Sequence, residues 1–258
     1  MSHRARKRFG QNFLIDQNVI RDIVTTVAPR AHDRMVEIGP GLAAITRPLA
    51  RSVHPLHVVE IDRDIVARLR REFTTEELVI HEGDALAFDF AALGPDLRIV
   101  GNLPYNISTP LLFHLVECAH ALRDIHAMLQ AEVVARMTAE PGSSEYGRLS
   151  VMLQYRFHME KVLDVAPEAF DPAPKVESAV IRMIPRAVED THRAQDEKLF
   201  KQTVALAFSQ RRKTLRNTLG SALTSEDFEA LGIDPQARAQ TLSVEDFVRI
   251  ADHRARSG

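Results

Sequence analysis

The sequence predicts an α/β fold, a doubly wound parallel sheet with a small all-helical domain behind it. Three observations lead there. Short apolar runs alternate with helical patterns through the first 140 residues, and right-handed strand–helix–strand crossovers then put helices on both faces of one sheet. A Gly39-Pro40-Gly41 turn joins the first buried run to the stretch after it, as ligand-binding sheets of this kind require. From about Asp190 the strand pattern stops and only short helical stretches follow.

The elements read in order as follows. DQNVIRDIVTTVAP (16–29) is a helix with Asp16 as its N-cap and Pro29 after its end. RMVEIG (34–39) is a short buried strand. LAAITRPLA (42–50) reads as a helix, with Pro48 as a point where it kinks or shortens. LHVVEID (56–62) is the second strand, and RDIVARLRREF (63–73) the helix after it. LVIHEGDA (78–85) and LRIVGNLPY (97–105) are the third and fourth strands. TPLLFHLVECA (109–119) is a helix, DIHAMLQ (124–130) the fifth strand, and AEVVARMTAE (131–140) a helix. PGSSEYG is a loop, and RLSVMLQYRF (148–157) is helical. MEKVLDV (159–165) and SAVIRMI (178–184) are two more strands, joined by PEAFDPAPKVE, whose three prolines make a stiff loop. THRAQDEK is a polar linker. KLFKQTVALAF, RRKTLRNTL, SEDFEALG and SVEDFVRIADHR form the helical tail, punctuated by Gly220 and Gly232. The expected domains are therefore 1–186 and 195–258.

Composition excludes several classes. The chain has 258 residues, 45% hydrophobic and 26% charged, which excludes disorder and collagen-like repeats. Cys118 is the single cysteine, so no internal disulfide forms and a reducing, cytoplasmic compartment is expected. No apolar run approaches the roughly 20 residues needed to span a bilayer. The basic start MSHRARKRFGQNF has no apolar stretch after it and is not a secretory signal. A net charge of −2 argues at first against a nucleic-acid partner. That sum hides segregation: residues 1–8 and 209–216 each carry four bases and no acid, while 60–96 carry ten acids and four bases. Arg4, Arg6, Lys7 and Arg8 form one basic cluster, and Arg211, Arg212, Lys213 and Arg216 a second on a predicted helix or its entry. Such clusters suit phosphate contacts, which set affinity and register rather than sequence. A solvated surface would carry the same charges.

Three strand ends carry candidate ligand chemistry. Gly39 and Gly41 let backbone approach a ligand beside free helix N–H groups, although a bare βα turn uses the same glycines. Glu60, 19 residues after Gly41, is placed to accept hydrogen bonds from ribose hydroxyls. Asp84, ending the third strand, can accept from an adenine amino group or simply cap a helix. The three describe an adenosine-containing cofactor and do not separate NAD from S-adenosylmethionine.

Asn102-Leu103-Pro104-Tyr105 at the end of the fourth strand decides the chemistry. Adenine N6 is a poor nucleophile because its lone pair is delocalised into the ring. Two acceptors for its hydrogens, the Asn102 side-chain oxygen and the Leu103 carbonyl, would localise that pair. Pro104 stiffens the turn and offers no competing N–H. Tyr105 can stack on the purine and stabilise the positive charge that develops on attack. No general base is needed before attack, since the product ammonium loses its proton easily, so catalysis is positioning and electrostatics.

The stretches RKRFGQNFLID, VEIGPGLAAIT, VEID, GNLPYNISTPLLFHL, YGRLSV, FDPAPKVES and FSQRRKTLRN span residues 6–217. They resemble the KsgA/Dim family of ribosomal RNA adenine dimethyltransferases. The resemblance implies a class I (Rossmann-like) methyltransferase with a seven-stranded, mostly parallel sheet whose last strand is antiparallel. It implies S-adenosyl-L-methionine contacts from Asn12, Leu14, Gly39, Glu60, Asp84 and Asn102, with Gly41, Ile61 and Ala85 completing the set, and Gln11 to Leu14 folded over the cofactor. It also implies Phe170 facing Tyr105 across the target base, which must be flipped out of its stack. The implied substrate is small-subunit (16S) ribosomal RNA in a partly assembled particle, with two adjacent adenosines in a hairpin loop near the 3′ end each taking two methyl groups. The implied enzyme is a monomer without a membrane or a metal. His114, Glu117 and His120 lack zinc spacing, because the two histidines are six apart on different helix faces. Cys118 is expected to be buried, and His54, His57 and His81 structural. Two other readings share parts of the pattern. An NAD-dependent oxidoreductase leaves NLPY unexplained, and a non-catalytic RNA-binding assembly factor has no chemical need of it.

Overall fold

Apolar β-branched residues fill the strands of the sheet, and the structure, a computed structural model, describes residues 11–187 and 193–257. The strands are β2 (Arg34–Ile38), β3 (Leu56–Glu60), β4 (Leu78–Glu82), β5 (Leu97–Asn102), β6 (Leu122–Gln130), β7 (Phe157–Val165) and β9 (Ser178–Pro185). They lie in the order β4-β3-β2-β5-β6-β9-β7. β4, β3, β2, β5 and β6 are mutually parallel, and β9 runs antiparallel to β6. β5 is buried along Leu97–Gly101, as a strand covered on both faces must be. The chain reverses its direction of travel across the sheet between β2 and β5, which opens a crevice at their carboxyl ends.

Helices α1 (Gln17–Val27), α2 (Thr46–Ala50), α3 (Arg63–Glu72), α4 (Ser108–Glu117) and α5 (Ala131–Thr138) alternate with the strands. Asp16 caps α1, its Oδ1 accepting from Asn18 N–H at 2.7 Å and Val19 N–H at 3.2 Å. α2 is shorter than its expected 42–50. Ala43 sits at φ +65°, a left-handed conformation that cannot be helical, and its N–H turns back to the Pro40 carbonyl. Pro48 then falls in the first turn of the shortened helix, where its missing N–H costs nothing.

A second, two-stranded sheet was not expected. β1 (Phe13–Leu14) pairs antiparallel with β8 (Phe170–Asp171), so the loop between β7 and β9 is anchored to the segment ahead of α1.

The chain divides into two compact units, Met1–Val134 with His158–Pro185, and Ala135–Phe157 with Arg186–Gly258. The units change at Pro185–Arg186, and Ala135–Phe157 groups with the helical tail. Aromatic packing explains this. In the second unit α6 (Arg148–Gln154) is followed by Tyr155, whose ring stacks 4.1 Å from Phe200 on α7 (Glu197–Ala207). Tyr146 meets Phe208 edge-on, and Phe208 packs on Phe247 of α10 (Val244–Ser257). Such pairs are worth about 1 kcal/mol each beyond the area they bury. Between them, α8 (Leu215–Leu219) and α9 (Ser225–Leu231) complete the unit. Thr224 and Asp227 form a capping box at the start of α9, and Gly232 ends it in a left-handed conformation. RRKTLRNTL is only partly helical: Arg211 to Lys213 lie in the turn before α8.

Candidate functional site

The carboxyl ends of β2, β3 and β5 and the loop after β4 line one cavity of about 270 Å³. Gly39 and Gly41 form its floor turn, at φ +69° and +53°. A Cβ on Gly41 would also stand 3.2 Å from the Phe13 ring, so this glycine allows β1 to close over the turn. Gly101 has a different reason: a Cβ there would meet the Ile38 carbonyl at 2.5 Å. Its absence lets β5 lie close to β2 and delivers Asn102 to the cavity.

Gln11, Asn12, Leu14, Gly39, Gly41, Glu60, Ile61, Asp84, Ala85, Asn102, Leu103, Pro104 and Tyr105 all line this cavity. The expected cofactor residues and the NLPY turn are thus brought together. Glu60 is buried at the end of β3, its Oε1 accepting from Asp62 N–H at 2.8 Å. Burial raises its carboxyl above the ordinary range, against hydrogen bonds from backbone N–H groups of Asp62, Gly41 and Ile61. Asp84 closes a turn and caps no helix. Its Oδ1 anchors the turn by accepting from Leu86 N–H at 2.9 Å, and the residue still borders the cavity. Ile61 offers an exposed apolar side chain beside them.

Glu37 is a site residue that spacing did not single out. It is 2% exposed, and its Oε2 has no hydrogen-bond partner among the described residues. Burial, opposed by the Thr46 side chain and reinforced by the Glu60 charge, pushes its carboxyl up to about 8. An apolar-flanked glutamate one residue before Ile38-Gly39 is the only trace of this in the sequence. Asp62 is also new: Gln11 Nε2 donates to Asp62 Oδ2 at 3.3 Å and ties the covering segment to the start of α3.

In the NLPY turn, Asn102 Nδ2 donates to the Asn12 carbonyl at 3.0 Å. A carbonyl only accepts, so the amide nitrogen must face it, which leaves Oδ1 as a free acceptor. Leu103 N–H is used by the Met128 carbonyl at 3.1 Å, and its side chain is buried. Tyr105 is half-buried, its hydroxyl 2.6 Å from Ser178 Oγ, and burial raises its phenol so that it stays neutral.

Phe170 is placed differently from the expectation. It is 3% exposed, lies outside the cavity lining and belongs to a core cluster with Phe13, Leu14, Val165 and Ala169. Pairing of β8 with β1 draws it there, and the ring contacts among the described residues include no Tyr105–Phe170 pair. Arg211, Arg212, Lys213 and Arg216 are exposed and form no ion pair with a described residue, although Arg211 donates to the Ser144 carbonyl. Arg4, Arg6, Lys7 and Arg8 lie outside the described residues. His114 Nε2 is engaged with the Phe88 carbonyl at 2.8 Å, and His57 Nδ1 with His81 Nε2 at 2.9 Å. Cys118 is buried, as expected.

The donor set fits a cationic adenosine derivative. Glu37, Glu60 and Asp84 border one cavity that no Lys, Arg or His among the described residues lines. Glu37 Oε2, without a partner among the described residues, is an acceptor for a donor on such a ligand, and Glu60 borders the same cavity.

Comparison with known proteins agrees with this geometry. The family profile described as ribosomal RNA adenine dimethylase matches residues 2–256. A protein named ribosomal RNA small subunit methyltransferase A from Thiobacillus denitrificans is 60% identical over 98% of this chain and 99% of its own. Its namesake from Dechloromonas aromatica is 59% identical over 97% and 98%. Among solved structures, the 23S rRNA methyltransferase ErmE superposes with a TM-score of 0.74 at 25% identity, over 95% of this chain and 100% of that one. A dimethyladenosine transferase from Plasmodium falciparum has the same fold, with a TM-score of 0.78 at 23% identity over 92% and 95%.

Proposed function

The chain belongs to the ribosomal RNA adenine dimethylase family, and from that premise we propose S-adenosyl-L-methionine as its methyl donor and small-subunit (16S) ribosomal RNA as its substrate. The protein is a methyltransferase enzyme that dimethylates adenine in ribosomal RNA. The proposed targets are N6 of two adjacent adenosines in a hairpin loop near the 3′ end, reached in a partly assembled small subunit. The enzyme acts in the cytoplasm as a monomer. The observation that carries the reading is the juxtaposition of the Asn102–Tyr105 turn with an acidic cavity lined by no cation among the described residues.

The donor, when bound, supplies a methyl group on a positively charged sulfur. Glu60 orients its ribose by accepting from the hydroxyls, and Ile61 and Ala85 give the adenine an apolar seat. Glu37 accepts from the cationic end. The segment Gln11–Leu14 covers the pocket and excludes water. On the substrate side, Asn102 Oδ1 and the Leu103 carbonyl accept the two N6 hydrogens, which localises the nitrogen lone pair for in-line attack. Tyr105 holds the purine face and stabilises the charge that grows on the ring. After one methyl transfer N6 keeps a single hydrogen, so one of the two acceptors suffices for the second round. Of the proposed substrate-contacting set, Phe170 supports this site from behind, by packing β8 onto β1. The basic turn at Arg211–Lys213, with Arg216 and the bases at Arg4–Arg8, supplies phosphate contacts.

The test is incubation of the protein with labelled donor and small subunits lacking these methyl groups. Primer extension is expected to stop at two adjacent adenosines, with dimethyladenine as the labelled product. No incorporation, or monomethyladenine alone, rejects the proposal. Stabilisation against heat by S-adenosylhomocysteine and not by NADH separates this donor from a nicotinamide cofactor.

A further inference from the structure

Tyr105 reaches its place through two rotatable side-chain bonds, starting from a short turn after Pro104. A ring held only at its Cα would sample several orientations over the cavity mouth. Its far end is fixed instead. The hydroxyl stands 2.6 Å from Ser178 Oγ, a short contact between two hydroxyls. Ser178 is 1% exposed and is the first residue of β9. It pairs in register with Gln130 of β6, and the Glu177 carbonyl beside it accepts from Ala131 N–H at 2.9 Å. The anchor is therefore part of the sheet, while the ring it holds faces the cavity. Among the described residues no other polar side chain is hydrogen-bonded to the Tyr105 hydroxyl.

We propose that Ser178 is a positioning residue for adenine methylation, which fixes the Tyr105 ring through the hydroxyl–hydroxyl hydrogen bond so that the target base stacks in line with the methyl donor. The inference rests on the reading above that Tyr105 stacks on the target base. Ser178 touches neither donor nor base; it acts through the tyrosine. A ring misplaced by about 1 Å loses in-line geometry, and such errors reduce rates by up to about 100-fold. Here only one of the ring's two anchors is removed, so a smaller loss, about tenfold, is expected. Ser178 is buried and Tyr105 half-buried, so deleting either hydroxyl also leaves the other without this partner.

The experiment is a double-mutant cycle on the full chain with undermethylated small subunits as substrate. Ser178→Ala and Tyr105→Phe are each expected to lower kcat about tenfold. The KM for S-adenosylmethionine and the dissociation constant for S-adenosylhomocysteine should stay within twofold of the parent. Ser178→Ala combined with Tyr105→Phe should be no slower than either single variant, because both remove the same bond. Either single variant turning over at the parental rate overturns the inference, and so does a double variant with the multiplied, roughly hundredfold loss. If Ser178→Ala fails to fold, Tyr105→Phe alone carries the test, since it cuts the bond from the exposed side. Tyr105→Ala separates the two levels. Full activity in that variant removes the stacking role itself. Loss of activity there, with unchanged turnover in Ser178→Ala, removes only the positioning role.

Discussion

The two ends of the parallel sheet both bury carboxylates, and they treat them in opposite ways. At the amino end, Arg98 of β5 reaches Asp33 at 2.6 Å and Asp124 of β6 at 2.9 Å, and also donates to the Val27 carbonyl. Arg123 closes on Asp33 from the other side at 3.0 Å. Burial alone would raise Asp33, but the Arg30 N–H and the Arg98 guanidinium outweigh it and hold it below the ordinary range. At the carboxyl end Glu37 and Glu60 are equally enclosed, yet both are raised and Glu37 keeps an oxygen without a partner. A buried acid with a cation beside it is structure. A buried acid left without one is destabilising until a ligand arrives, and that asymmetry locates the site independently of any motif.

Breaking the paired end should produce the largest change in stability. Arg98→Met leaves Asp33 and Asp124 buried without their shared guanidinium, and about 3–5 kcal/mol of folding stability should be lost in urea titrations. Affinity for S-adenosylhomocysteine per folded molecule should not change. A matching loss of cofactor binding would show that the two ends are not separable.

Tyr105→Ala tests the open end on its substrate side. Transfer should fall by at least 100-fold, which is about 2.7 kcal/mol of barrier, while cofactor affinity is kept. Single-turnover assays and calorimetry measure the two separately.

Glu37→Gln tests the unpaired acid directly. The folded carboxyl sits at about 8 against an ordinary value of 4.5. The folded protein therefore holds a proton that the unfolded chain releases between those values, and stability falls as pH rises from about 4.5 to 8. Glutamine lacks this penalty, so the free variant should melt at least a few degrees higher than the parent at pH 8 and close to it at pH 4.5. Its affinity for S-adenosylmethionine should drop about tenfold. Asp33 has the reverse sign: its lowered carboxyl contributes stability that is lost only as pH falls below the ordinary aspartate range.

The smallest effect is expected at the surface. Arg212→Ala with Lys213→Ala should weaken RNA binding a few-fold and reduce the slope of log affinity against log salt by about 1.4, if both residues touch phosphate. An unchanged slope would make that turn an ordinary solvated surface.

Much of this was legible before any coordinates. β2 to β6 announce themselves because apolar runs end in residues of unusual chemistry: Glu60, Asp84, Asn102. Asp16 is a strong cap with its helix directly behind it. Pairing of β1 with β8 was not legible, since two-residue strands carry no periodicity and the partners, Phe13 with Asp171 and Leu14 with Phe170, lie far apart in the chain. The same pairing explains why Phe170 lies in the core. The assignment of Ala135–Phe157 to the helical unit depends on where Tyr146 and Tyr155 find rings to pack on, which spacing does not encode. Glu37 looked like any residue of a buried strand, because what singles it out is an oxygen without a partner among the described residues.

Proton exchange on cofactor binding is the most direct probe of that unpartnered acid. Titration calorimetry of S-adenosylmethionine near pH 7, repeated in buffers of different ionisation enthalpy, counts the protons moved. A cation brought against Glu37 lowers its carboxyl, so binding should release a substantial fraction of one proton, and Glu37→Gln should abolish the release. Tight binding with no proton released, or release that persists in the variant, would contradict the assignment of this acid to the cationic end of the donor.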